Sequence, residues 1–210
     1  MRARKGSAEQ RGRTFTETAR RAQIVQAAIE TIAELGYVRT SFSRIAKRAG
    51  LSSTGLISYH FAGKDELMCA VTTEVMSSFT AFVLPRMQAQ HTKADELRAF
   101  IESNVDFMRT HRTQLVALLD IMASARRDDG SPLHGAGVAE ADLTKLAEFL
   151  REGQQTGEFR RFDPRVMAVA IMSLRDGVLR ALAADPTLDL EVYERELVAL
   201  VARATRKEAQ

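Results

Sequence analysis

Cysteine is nearly absent: Cys69 is the only one in 210 residues. A disulfide within the chain is therefore excluded. No Cys/His cluster has zinc-ligand spacing either, so a reducing setting without bound metal or cofactor is expected. Long apolar runs are also lacking. The first twenty residues, MRARKGSAEQRGRTFTETAR, offer no signal-like segment, and no later stretch reaches the roughly 18 uninterrupted apolar residues of a membrane span. A soluble cytoplasmic protein with no membrane partner is the expectation. Catalytic motifs are missing as well: there is no G-x-S-x-G, H-E-x-x-H, paired Glu-x-x-His or P-loop, and the GAG at 135–137 has no strand before it. His60 lacks a carboxylate within helical reach on its N-terminal side to orient it as a general base. No catalytic residue and no metal ligand is assigned.

Strand-like alternation is absent too, while helical spacing recurs from end to end, which predicts an all-α fold. An apolar content of 45% suffices for a sizeable core in one large domain or two small ones. Charge is unevenly placed. Residues 1–64 hold 12 Lys/Arg against four Asp/Glu, a net +8, whereas the remaining 146 residues carry −5. A basic first third joined to an acidic remainder suggests a polyanion-binding module attached to something else.

Thr14 and Glu17 have capping-box spacing, and Ile24, Ala28, Ile32 and Leu35 mark one helical face that ends at Gly36. A short second helix is predicted from about Ser41 to Ala49, with Thr40 or Ser41 as N-cap, Phe42, Ile45, Ala46 and Ala49 facing inward, and Gly50 ending it. Ser52 to Thr54 then offer N-caps for a third helix that ends near Phe61, and a fourth begins at Lys64. A long helix in front of two short ones joined by a tight Gly-containing turn is the plan of a helix-turn-helix, with small Ala46 allowing close approach. Further helices are predicted at about 64–83, 95–109, 112–127, 138–156, 164–184 and 189–206. Pro85 should end or kink the first of these, DDGSPLHGAG (128–137) is a turn cluster, and Pro164 and Pro186 lie at or near helix starts.

Gly36-Tyr37, Thr40-Ser41, Ile45-Ala46, Ala49-Gly50-Leu51-Ser52, Gly55, Tyr59-His60-Phe61 and Lys64-Asp65-Glu66-Leu67 occur in an order and spacing that covers roughly residues 18–68. In these residues the chain resembles the N-terminal domain of the TetR-type repressors, a family of dimeric, ligand-responsive bacterial transcription regulators. The resemblance implies a three-helix helix-turn-helix DNA-binding domain at 18–63 and a helical ligand-binding and dimerisation domain at 64–210, preceded at 1–17 by a basic arm whose polar composition predicts flexibility until bound. One departure stands out. Ser53 and Thr54 together fill a gap where the family usually has one residue, and Ser58 occupies a position that is usually Tyr.

In the motif, the second short helix enters the major groove while hydroxyls and backbone amides at helix starts hold phosphates. Thr40, Ser41, Ser52, Ser53 and Thr54 are placed for the backbone, and plain N-capping accounts for the same hydroxyls. Gly55 would permit close approach to the groove. Tyr59 and His60, with Ser58, are the recognition-helix candidates; the alternative packs one of the two rings against the first helix beside Phe61. Lys64 opposes the dipole of the helix it opens, which makes sense where a phosphate sits, and its position is a phosphate contact in the family; the alternative is an exposed lysine. The recognition helix has no Arg, Asn or Gln for bidentate base contacts. Arg44 is therefore the candidate for a guanine contact, and Ser43 occupies a position that reads bases in some relatives. Arg2, Arg4, Lys5, Arg11 and Arg13 form a tail resembling minor-groove arms, or else a solubilising tail.

So small a footprint calls for a two-fold dimer on paired half-sites of a double-stranded DNA operator. Leu143, Leu146, Leu150, Met167, Ala168, Ile171, Leu174, Val178 and Leu182 lie on late helices of the kind that form the family's dimer interface, and an intramolecular core competes for part of them. The middle helices are rich in Met and Phe, which suits a cavity for an apolar small-molecule effector as well as a filled core. Phe79, Phe82, Phe107, Met108, His111, Met122 and Arg175 are the ligand-binding candidates, with Asp106, Asp120 and Arg126 as further polar groups. The implied function is a repressor released from a palindromic operator by its effector. An all-α enzyme and a DNA-binding protein without sequence preference are the alternatives.

Overall fold

The computed structural model describes residues 5–126, 129–133 and 136–207. Among these it is built of helices alone: α1 (Lys5–Leu35), α2 (Phe42–Arg48), α3 (Gly55–His60), α4 (Lys64–Gln88), α5 (Lys93–Thr110), α6 (Arg112–Ser124), α7 (Ala136–Gln155), α8 (Pro164–Ala184) and α9 (Leu190–Thr205). They fall into two compact units. One runs through Val75 and takes in α6 from Thr113 with the turn after it; the other holds Met76–Arg112 and α7–α9. Residue 64 marks a helix start, but packing does not break there. Leu67, Met68, Val71 and Val75 on the first turns of α4 are fully buried with the first unit.

In the first unit, α1 buries Ile24, Ala28, Ile29 and Ile32, and α2 packs on it through Ile45 and Ala46. The expected start at Thr14 is corrected: α1 begins at Lys5 and passes through the Thr14–Glu17 pair. Thr-x-x-Glu spacing is compatible with a helix interior, and Ala8, Glu9, Gln10 and Arg11 are adequate helix formers for propagation once later turns exist. Arg2 and Arg4 lie outside the described residues, as do the side chains of Lys5, Arg11 and Arg13.

Helix α4 also differs from expectation. Pro85 does not end it; the helix continues to Gln88. By length and composition α4 is apolar enough to cross a membrane, a test that the core helix of a soluble protein also passes.

In the second unit, α7 packs on α8 and α5 on α9. Leu97, Ile101, Leu146, Leu150, Phe159, Ala168 and Ile171 share one core. The late-helix residues expected at a dimer interface are thus largely internal: Leu146, Leu150, Ala168, Ile171, Val178 and Leu182 are buried within one chain. Asp163 caps α8, accepting from the Arg165 and Val166 amides, with Pro164 next. Pro186 does not open a helix, for Asp185 closes α8 and Asp189 caps α9.

Candidate nucleic-acid interface

Gly50 gives the helix-turn-helix its bend. Its φ of +64° is left-handed, the Leu51 amide donates to the Ala46 carbonyl at 2.9 Å, and the Gly50 amide donates to the Lys47 carbonyl at 3.3 Å. These two bonds form a Schellman closure of α2, which satisfies carbonyls the helix would leave open. The other end of α2 is capped by Ser41, whose hydroxyl accepts from the Arg44 amide.

Helix α3 starts at Gly55, after Thr54. Thr54 occupies the N-cap position but has helical backbone angles and makes no side-chain capping bond. Its carbonyl receives the Ile57 and Ser58 amides instead, at 3.0 and 3.1 Å. Ser52, Ser53 and Thr54 are all exposed. Ile57 and Phe61, fully buried, anchor α3, which leaves Leu56, Ser58 and Tyr59 facing outward.

Helix α1 holds both short helices by their C-terminal ends. The Gln23 amide donates to the Ala49 carbonyl at 2.7 Å, and the Arg21 guanidinium donates to the His60 carbonyl. Arg21 also lies 4.1 Å over the Phe61 ring and pairs with Glu66 at 3.1 Å. Glu66 in turn accepts from the Ala62 amide at 2.7 Å. That backbone bond, followed by the Arg21 guanidinium, pulls the Glu66 carboxyl below its usual value.

Of the twelve candidate DNA contacts only Thr40 is buried. Its hydroxyl donates to the Gly36 carbonyl at 2.8 Å and its amide to the Tyr37 carbonyl at 3.1 Å, so Thr40 shapes the turn between α1 and α2 and its side chain is withdrawn from any phosphate. Ser41, Ser43, Arg44 and Gly55 are exposed. The Arg44 guanidinium donates to the Arg39 carbonyl at 2.8 Å, a surface bond that a base edge could replace. Tyr59 is 72% exposed; its hydroxyl is 3.3 Å from Glu17 on α1, and its ring meets His60 edge-on. Phe61 alone of the three adjacent rings packs inward.

Lys64 is half-buried, not freely exposed. Its ammonium lies 4.0 Å over the Tyr37 ring and donates to the Tyr37 carbonyl at 3.1 Å. Burial pushes its pKa down, against the opposing pull of Asp65. An ammonium so held has donors left for an external oxygen and is incompletely compensated within the chain.

The ligand-binding candidates divide into three groups. Phe79, Phe82, Phe107 and His111 form an aromatic cluster, with Phe107 and His111 stacked at 4.1 Å and Phe82 edge-on to both. Met108 and Arg175 line a separate, small apolar pocket with room for little more than a water molecule, with Asn104, Ile171, Leu174 and Leu197. Arg175 is held there by Asp176 at 2.8 Å. Met122 belongs with neither: it is 53% exposed on α6 in the first unit. Asp120, read from sequence as a polar ligand contact, binds the Tyr37 amide at 2.5 Å.

Residues 24–71, which span the whole helix-turn-helix, match the family model described as bacterial regulatory proteins, tetR family. The chain is 31% identical over 176 residues to the HTH-type transcriptional regulator BetI of Cronobacter sakazakii, an alignment covering 82% of this chain and 84% of that protein. The chain belongs to the tetR family. As its relatives are, it is a helix-turn-helix transcriptional regulator. Among solved structures, the fatty acid degradation regulator FadR of Bacillus halodurans superposes with a TM-score of 0.76 at 24% identity, covering 87% of this chain and 94% of its own. AibR, in complex with isovaleryl coenzyme A and operator DNA, superposes at 0.70 and 22% identity, covering 86% and 97%. Both share the all-α fold of this tetR-family chain, an N-terminal helix-turn-helix followed by helices.

Proposed function

We propose that this tetR-family regulator is a cytoplasmic, ligand-responsive repressor that binds a palindromic operator as a homodimer and is released by a small molecule held in the second unit. The observation that carries the DNA-binding half is the presentation of α3: buried Ile57 and Phe61 fix it while Ser58 and Tyr59 face outward. Ser41, Ser52, Ser53 and Thr54 contact phosphates, Lys64 clamps another, and Gly55 permits close approach. Ser43, Arg44, Ser58, Tyr59 and His60 face the bases. Residues 1–17 add positive charge along the duplex. No catalytic role is assigned to any residue.

For the effector, the apolar pocket lined by Asn104, Met108, Leu174 and Arg175 is the candidate site; it is too small here for more than a water, so its helices would have to part around an apolar molecule with one polar group. The complex of AibR with both a coenzyme A ester and operator DNA provides a precedent in this fold for the two ligand classes. An effector releases the operator only by preferring a dimer whose α3 helices no longer match the half-site spacing.

The test is selection of bound duplexes from a random pool with the full chain, followed by a salt titration. An inverted repeat should emerge, bound with an affinity that falls steeply with salt. Equal binding of random duplex in competition would instead favour a DNA-binding protein without sequence preference. Failure to bind any duplex would sink the regulator reading.

A further inference from the structure

The turn between α1 and α2 is stapled from inside and outside. Within it, Thr40 bonds the Gly36 carbonyl through its hydroxyl and the Tyr37 carbonyl through its amide. From outside comes Asp120, 83 residues away on α6, whose Oδ2 accepts the Tyr37 amide at 2.5 Å while its Oδ1 accepts the Ser124 hydroxyl at 2.9 Å. The Tyr37 amide lies past the end of α1, because Gly36 closes the helix on the Ile32 carbonyl and its left-handed φ turns the chain away. Gly36 permits the approach. Its φ is +83°, and a Cβ there would stand 3.3 Å from the same Asp120 oxygen.

Tyr37 is consequently a junction. Its amide is fixed by Asp120, while its carbonyl and ring hold the Lys64 ammonium. The Tyr37 amide shares one rigid peptide plane with its own Cα, so displacing that amide displaces the Cα from which the ring and carbonyl extend. We propose that Asp120 is a positioning residue for DNA binding: by holding the Tyr37 amide it sets where the Lys64 ammonium meets a DNA phosphate. The inference rests on the DNA-binding reading above. It also gives Asp120 a role separate from effector contact.

A phosphate contact acts on every duplex and appears in the salt dependence. The full chain and its Asp120→Ala, Lys64→Ala and double variants are titrated by fluorescence anisotropy onto the selected duplex and a random one of equal length. Lys64→Ala should weaken both by roughly tenfold and lower the salt slope by about one per contact. Asp120→Ala should reproduce most of that loss and the shallower slope, and add little to Lys64→Ala. Asp120→Asn, whose amide oxygen accepts the same N–H, should restore binding. A purely structural Asp120 would instead lower the unfolding temperature and leave the salt slope intact. If Asp120→Ala unfolds, Asp120→Glu retains the charge and displaces the acceptor, and should give an intermediate slope. Unchanged affinity in a folded Asp120→Ala or Asp120→Glu, or losses that simply add in the double variant, would overturn the inference while leaving the DNA-binding reading intact. Absence of binding by the unaltered chain would overturn both.

Discussion

The Gln23 side-chain amide on α1 donates to the Ala49 carbonyl at the end of α2, at 2.7 Å and 26 residues away. Gln23 thereby satisfies a carbonyl at the bend of the helix-turn-helix and ties α2 to the long helix in front. Gln23→Ala removes one partly buried bond, for which about 0.5–1.5 kcal/mol is the usual net cost. The midpoint of thermal unfolding followed by circular dichroism should fall by about 2–4 °C per kcal/mol lost. An unchanged midpoint would show that the bond contributes nothing to the fold.

Gly36 and Gly50 both have positive φ, yet they should respond differently to substitution. At Gly50 an added Cβ meets open space, so Gly50→Ala carries only the left-handed backbone cost, about 1–2 kcal/mol. At Gly36 the Cβ would also press on Asp120 at 3.3 Å. Gly36→Ala should therefore destabilise more than Gly50→Ala in urea unfolding, and its DNA affinity should fall with it because Tyr37 moves. Equal losses would show that the Asp120 contact yields without cost.

Gly50 also shows what was legible from sequence. A glycine after a short apolar-periodic helix declares a left-handed closure, and Ser41 declares a cap, because both act within a few residues. Of the caps expected at Ser52–Thr54, Thr54 makes none for a local reason: it takes helical angles and forms no side-chain capping bond. Long-range ties left no such pattern. Arg21 to His60, Gln23 to Ala49 and Asp120 to Tyr37 join residues 39, 26 and 83 apart, and no periodicity marks them. In the second unit, the Met and Phe content announced adaptable apolar packing but could not separate the Phe79–Phe82–Phe107–His111 cluster from the cavity that holds Met108 and Arg175.

Glu66 should contribute an acid-sensitive share of stability. Its pKa is lowered chiefly by the Ala62 amide and then by Arg21. A depressed carboxyl stabilises the fold above its unfolded value, about 4.3, and that contribution disappears as pH falls through the lower folded value. Glu66→Gln cannot titrate. Chemical unfolding from pH 6 downward should show the unaltered chain losing more stability below about pH 4.3 than the variant does. Parallel curves would exclude this coupling.

Arg44 and the serines near the turn should separate base reading from phosphate holding. Arg44 is exposed and bonds only a surface carbonyl among the contacts described for it, so it is available to a guanine edge. Arg44→Ala should relax preference at one base pair per half-site, by about 1–3 kcal/mol if the contact is bidentate. Ser52→Ala and Ser53→Ala should weaken all duplexes alike. Repeating the selection with each variant distinguishes the two outcomes; unchanged preference after Arg44→Ala would move the reading function to α3.

The proposed homodimer has a candidate seam on the outward side of α8. Ala168, Ile171, Val178 and Leu182 are spent on the core of their own chain, but Val166 and Val169 remain 68% and 44% exposed. Three residues apart on a helix, the two valines share a face. A carboxylate placed in a buried dimer seam would lack a partner, and two-fold symmetry would place it there twice. Val169→Glu should therefore shift the protein towards monomer in light scattering at micromolar concentration, with Val166→Glu acting in the same direction. Loss of the dimer removes the gain from joining two half-sites, roughly a hundredfold or more in apparent operator affinity, and it should leave the weaker binding to a single half-site unchanged. A Val166→Glu, Val169→Glu double variant that stays dimeric and keeps full operator affinity would place the seam on another surface of the second unit.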